Sequence, residues 1–91
     1  MIAVIELDVS TLEPPQPMHE ICQALVELSN DQILHVTHRR KPIPLFEMLD
    51  DKYCYLHREI EEGDHHIWFW HLGVRQAEQQ VKVMINENDR A

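Results

Sequence analysis

Hydrophobic and polar positions along this chain change period several times, and each change marks an element. Ile2 to Val9 is rich in β-branched residues with partial alternation, which predicts a strand; Ile5 and Leu7 turn to one side, Val4 and Glu6 to the other. Ser10 to Pro17 breaks the pattern with Pro14, Pro15 and Pro17. Beyond it Met18, Ile21, Cys22, Leu25 and Leu28 recur at helical spacing, predicting a helix to about Ser29, with Pro17 in the first turn where a missing N–H does no harm. Gln32 to Thr37 reads as a second strand, with Leu34 and Val36 on one face and Ile33, His35 and Thr37 on the other. Pro42 and Pro44 then precede a short helical stripe, Leu45, Phe46, Met48 and Leu49, ending near Lys52. Tyr53 to Ile60 and His65 to Leu72 predict two strands joined through the polar turn Glu61-Glu62-Gly63-Asp64, and Gly73 ends the second. From Val74 to Ala91 the pattern is double. Val74, Ala77, Val81, Met84 and Ile85 fit a helix; Val81, Val83 and Ile85 also fit a strand; the run RQAEQQ favours the helix.

The order is therefore β-α-β-α-β-β plus a tail. A strand-helix-strand unit favours parallel pairing with a right-handed crossover, and the closing hairpin adds an antiparallel strand. The predicted fold class is α/β (α+β): a two-layer sandwich, with a mixed four-stranded sheet carrying two helices on one face and a C-terminal extension. Residues 1–73 form the expected domain, and 74–91 a tail expected to be helical.

Composition narrows the function. The chain has 91 residues, 44% hydrophobic and 26% charged, which suits one small globular domain. A net charge of −8 argues against nucleic acid, whose phosphates need a basic surface, and no apolar run reaches membrane-span length. Two cysteines and an N-terminus without a basic flank point to a reduced cytoplasmic setting. No Ser/His/Asp grouping or catalytic carboxylate pair is discernible, and two glycines exclude a Gly-rich phosphate cradle, so no catalytic residue is assigned, no cofactor is named, and a non-enzymatic role is favoured.

One feature runs against the acidic balance: His38-Arg39-Arg40-Lys41 gathers three of the eight Lys and Arg residues in one loop. If strands 1 and 2 are parallel, both proline-led helices begin at the same edge of the sheet, and this loop faces solvent beside Pro14-Pro15. Helix N-termini and arginines attract anions. Glu13, Pro14, Pro15, His38, Arg39, Arg40 and Lys41 are accordingly the candidate binding residues, for a small anion or an acidic protein partner. A second feature is the strand HHIWFWH: with Ile67 and Phe69 in the core, Trp68 and Trp70 fall on the open face. Bare tryptophans there call for a cover, either a second subunit in a homo-oligomer or the folded-back tail.

The segment LDVSTLEPPQP after the first strand resembles the TusA/SirA-like sulfur-carrier superfamily, which carries Leu-Asp near the end of strand 1 and Cys-Pro-x-Pro at the start of helix 1. Leu7-Asp8, Pro15 and Pro17 match; Pro14 stands where the persulfide-carrying cysteine would be. The chain is more similar still to a TusA-related family of uncharacterised domains, through LEPPQPM, HRRKPIPL and IWFW. The resemblance spans about residues 2 to 73. It implies the same sandwich and a link to sulfur or redox metabolism. A thiol at a helix N-terminus gains thiolate character from the dipole, but a proline cannot form a persulfide, so carriage by the usual mechanism is excluded at this position. Cys22 and Cys54 read as core residues. The family fold also sets strand 4 beside strand 2, making His35 and His66 neighbours on the open face, with His57 a further candidate there. Metal or haem binding through these histidines is the alternative reading, with no carboxylate placed as a third ligand.

Overall fold

The computed structural model describes residues 2–49 and 51–89. Its elements are β1 (Ala3–Asp8), α1 (Gln16–Glu27), β2 (Gln32–His38), α2 (Ile43–Met48), β3 (Tyr53–Glu61), β4 (Asp64–His71) and α3 (Arg75–Asp89). The four strands form one sheet in the order β1-β2-β4-β3. β1 and β2 are parallel; β4 runs antiparallel to both β2 and β3. The expected mixed sheet with α1 and α2 on one face is the architecture observed.

Strand alternation sorts the apolar residues into two layers. On one face Leu34, Val36, Ile67 and Phe69 pack with Ile21, Leu25 and Leu28 around α1 and with Leu45 of α2. On the other, Ile33, Trp68 and Trp70 pack with Ala77, Val81 and Ile85 of α3. Helix packing on both sides explains why Ile67 to Trp70 is apolar without a break: every residue in it is buried. Of the two covers expected for Trp68 and Trp70, the tail is the one present. They are 1% and 5% exposed beneath α3, so their surface is taken up within the chain and is not on offer to a second subunit. Helical spacing wins in the tail because Ala77, Val81 and Ile85 sit one turn apart on a single face, whereas Val83, which a strand would align with them, is exposed. Arg90 and Ala91 of the expected tail lie outside the described residues.

Two helices stop earlier than their apolar stripes suggest. α1 ends at Glu27 rather than Ser29 because Leu28 turns extended and local bonds take over: Ser29 Oγ donates to Asp31 (2.7 Å), and the Ser29 N–H donates to Gln32 Oε1 (2.9 Å). Two carbonyls at that end gain partners from other elements: Leu25, which already accepts the Leu28 N–H, also accepts from the Tyr53 hydroxyl (2.9 Å), and Leu28 meets His71 Nε2 (2.6 Å). α2 ends at Met48, where Leu49 adopts extended backbone, and not near Lys52. Gly63 and Gly73 hold φ of +79° and +88°, the left-handed conformation that closes the hairpin and turns the chain from β4 into α3.

Candidate binding edge

Parallel β1 and β2 finish at the same end of the sheet, and α1 and α2 start there. The turn after β1 is fixed at Asp8: the Ser10 hydroxyl (2.6 Å) and the Ser10 N–H (2.9 Å) both donate to its Oδ1, and these bonds hold the carboxyl below its usual range. The chain then passes through the cis Pro14–Pro15 bond into α1, whose second residue is Pro17. After β2 a tight loop leads to Pro42 and α2, with Pro44 in its first turn. The Arg40 N–H donates to His38 Nδ1 (3.0 Å), folding this loop back on the strand end.

The two starts enclose a cleft of about 330 Å³. Pro14, Pro15, Pro17, Met18 and Ile21 line it from the α1 side, Pro42, Pro44 and Leu45 from the α2 side, and His38, Arg40 and Lys41 supply its polar groups. Five of the seven candidate residues are thus brought together. Glu13 and Arg39 are not in the lining; they form an ion pair with each other (3.2 Å), with Glu13 well exposed. The apolar floor was not among the candidates, although its prolines and its Met18, Ile21 and Leu45 stand in the sequence as helix starts and helix stripes. Lys41 also borders a shallower hollow beside α2 with Phe46, Tyr55 and His57, where the Phe46 and Tyr55 rings stack at 4.1 Å.

His38 is half-buried at this edge, and its pKa is lowered, first by burial and then by His65, Arg39 and Arg40. His57 is lowered by burial first, then by His65 and Lys41. Both imidazoles are therefore biased to the neutral form, and the fixed positive charge of the cleft comes from Arg40 and Lys41. His57 does not join the open face, as expected of it; it packs edge-on against Phe46 of α2, and its Nε2 lies 2.9 Å from His65 Nδ1. His65 and His66 are adjacent in β4, so their side chains point to opposite faces.

His35 and His66 are neighbours on the α3 face, as expected. His35 Nε2 lies 2.8 Å from His66 Nδ1. His35 Nδ1 is 2.6 Å from Glu6 Oε2, and His66 Nε2 is 2.9 Å from Asp64 Oδ1. With every ring nitrogen engaged inside the chain, neither imidazole turns a nitrogen outward toward a haem iron. Among the described residues no group of three or more His, Cys, Asp and Glu side chains is placed to hold a metal ion. Glu6 and Asp64 were not foreseen as partners. Glu6 faces His35 across β1 and β2, and Asp64 shares a sheet face with His66 two residues on. Both cysteines are free and half-buried, Cys22 against the α1 core and Cys54 against the α3 core, where burial raises the Cys54 thiol.

The fold and this edge define a small four-stranded α/β domain with a proline-walled, cation-rimmed cleft, and no described helix is long and apolar enough to cross a membrane. Residues 6–71 match the model of a family described as an uncharacterized conserved protein, DUF2249, and the chain belongs to that family. The match ends at the last residue of β4, leaving α3 beyond it. No curated protein and no solved structure gives a match.

Proposed function

We propose that this chain is a non-enzymatic recognition module, related to sulfur-carrier proteins but without the carrier cysteine, whose working surface is the proline-led edge. The observation that carries the reading is the convergence of both helix starts and of His38, Arg40 and Lys41 on one cleft. Its floor is apolar and its charged groups are cationic, on a chain whose net charge is −8. That combination fits an acidic partner, protein or small anion, in which an apolar group stands next to a carboxylate. The apolar part gains from burial against the prolines, and the carboxylate from Arg40 and Lys41. Pro14 stands where a sulfur carrier of this resemblance holds its thiol, so the edge keeps the place of exchange with partners and has lost the chemistry. A role beside sulfur or redox reactions in the cytoplasm follows from the same resemblance.

The test is affinity capture with the wild-type chain and with Arg39→Glu/Arg40→Glu. The double variant removes one cleft cation and reverses the charge of the loop without touching either core. It is expected to lose a partner that the wild type retains, at unchanged circular dichroism. Equal recovery of every captured protein by both chains contradicts the reading.

A further inference from the structure

All five prolines of the chain line the cleft between α1 and α2, and this limits what its walls offer a ligand. A helix start holds anions through free N–H groups, and here those groups are missing or taken. Pro14, Pro15 and Pro17 have none, and the Gln16 N–H donates to the Glu13 carbonyl (2.9 Å). Pro42 and Pro44 have none, and the Ile43 and Leu45 N–H groups donate to the carbonyls of Lys41 (2.9 Å) and Pro42 (3.1 Å). In these two first turns the Met18 N–H alone is without a main-chain acceptor among the described residues. His38 Nδ1 is spent on the Arg40 N–H (3.0 Å). Charge entering the cleft is therefore met by side chains, and Arg40 and Lys41, both exposed, are the cations that line it.

Resting on the reading of this edge as the working surface, we infer that the cleft receives an aromatic side chain from an acidic segment of a partner protein. Proline and aromatic rings are a recurrent recognition pair: proline-rich segments dock in aromatic-lined grooves, and here the prolines stand on the receptor instead. A ring laid on the exposed Pro14, Pro15 and Pro44 buries one face and turns the other, negative by its quadrupole, toward the rim cations. An aliphatic side chain in the same place gains the burial alone.

Charge and shape favour a protein segment over a small anion. With a net charge of −8 the chain repels an acidic segment over most of its surface, and the loop His38-Arg39-Arg40-Lys41 is where that repulsion reverses. Glu13 pairs with Arg39 (3.2 Å), leaving Arg40 and Lys41 to the partner. Lys41 also borders the hollow walled by Phe46 and Tyr55, so the cleft continues past the start of α2 and has room for the chain that follows the anchoring ring.

The test is an NMR titration of the full chain with two capped peptides, Glu-Glu-Phe-Glu-Glu and the same sequence with cyclohexylalanine in place of phenylalanine. The two side chains are nearly equal in size, and the saturated ring is the more apolar, so burial by itself favours cyclohexylalanine. The phenylalanine peptide is expected to bind about two- to fivefold tighter. It is also expected to move the ring protons of Pro14, Pro15 and Pro44 upfield through its ring current, which the saturated peptide lacks. Equal or weaker binding of the phenylalanine peptide, or proline protons that stay in place, overturns the inference and leaves the edge as a binding surface. If neither peptide binds, the reading of the edge falls and the inference falls with it.

Discussion

Val81 and Val83 lie two residues apart on α3, and the fold assigns them opposite roles. Val81 is fully buried against the layer that holds Ile33, Trp68 and Trp70, whereas Val83 is 54% exposed. Val81→Ala removes two buried carbons, each worth about 0.8 kcal/mol in transfer from water, or roughly 1.6 kcal/mol together. The void beneath Trp68 and Trp70 adds to this, since a sheet face between two helices cannot collapse freely, and brings the expected loss to about 2–3 kcal/mol. Val83→Ala makes the same chemical change in solvent and is expected to stay within about 0.5 kcal/mol of the wild type. In a domain of this size 1 kcal/mol moves the melting temperature by roughly 4–8 °C, so the two variants separate clearly in a thermal melt followed by circular dichroism. Tryptophan fluorescence gives a second reading, because loosening α3 wets the indoles of Trp68 and Trp70. Equal melting temperatures for the two variants would refute the docking of α3 and with it the burial of both tryptophans.

Two further outcomes follow from the turns and the edge. Gly73→Ala meets no atom within 4 Å of the added Cβ, so its cost is that of the left-handed backbone alone, about 1–2 kcal/mol by urea denaturation; no change would mean that the turn from β4 into α3 has another shape. For pH, the folded-state pKa values of His38 and His57 lie below the ordinary 6.5, so below pH 6.5 the unfolded chain binds more protons than the folded one. Their contribution to stability is complete above pH 6.5 and falls on acidification through the window beneath it. Urea midpoints between pH 7.5 and 5.5 are expected to fall less steeply in His38→Gln than in the wild type; equal slopes would deny His38 its sheltered position.

The strands and their faces were legible because alternation is local: Leu34 and Val36 against Ile33 and His35, and Ile67 and Phe69 against Trp68 and Trp70, each needed only neighbouring residues to sort. The shared edge of the proline-led helices was legible too, since a β-α-β unit with parallel strands leaves the next helix nowhere else to begin. What escaped depends on pieces far apart in the chain. Glu6 meets His35 only through the register of β1 on β2. His57 was misplaced because its face is set by the register of β3 on β4, which puts it opposite Ile67 on the side of Phe46 and α2. The early end of α1 escaped because Ser29, Asp31 and Gln32 compete for the backbone with bonds that an apolar stripe does not record. The apolar floor of the cleft escaped for a related reason: Met18, Ile21 and Leu45 look like core on their own helices, and only the approach of α1 to α2 leaves them facing a gap.

The central claim is that the proline-led edge is where this domain meets its partner, and the most direct measurement is an NMR titration of the ¹⁵N-labelled chain. The probe is a capped peptide carrying a leucine flanked by glutamates. The account predicts amide shifts confined to residues 16–21 and 38–46, weakened by added salt and lost in Arg40→Glu/Lys41→Glu. Shifts that fall instead on α3 or on β3, or that persist unchanged in the double variant, would contradict it.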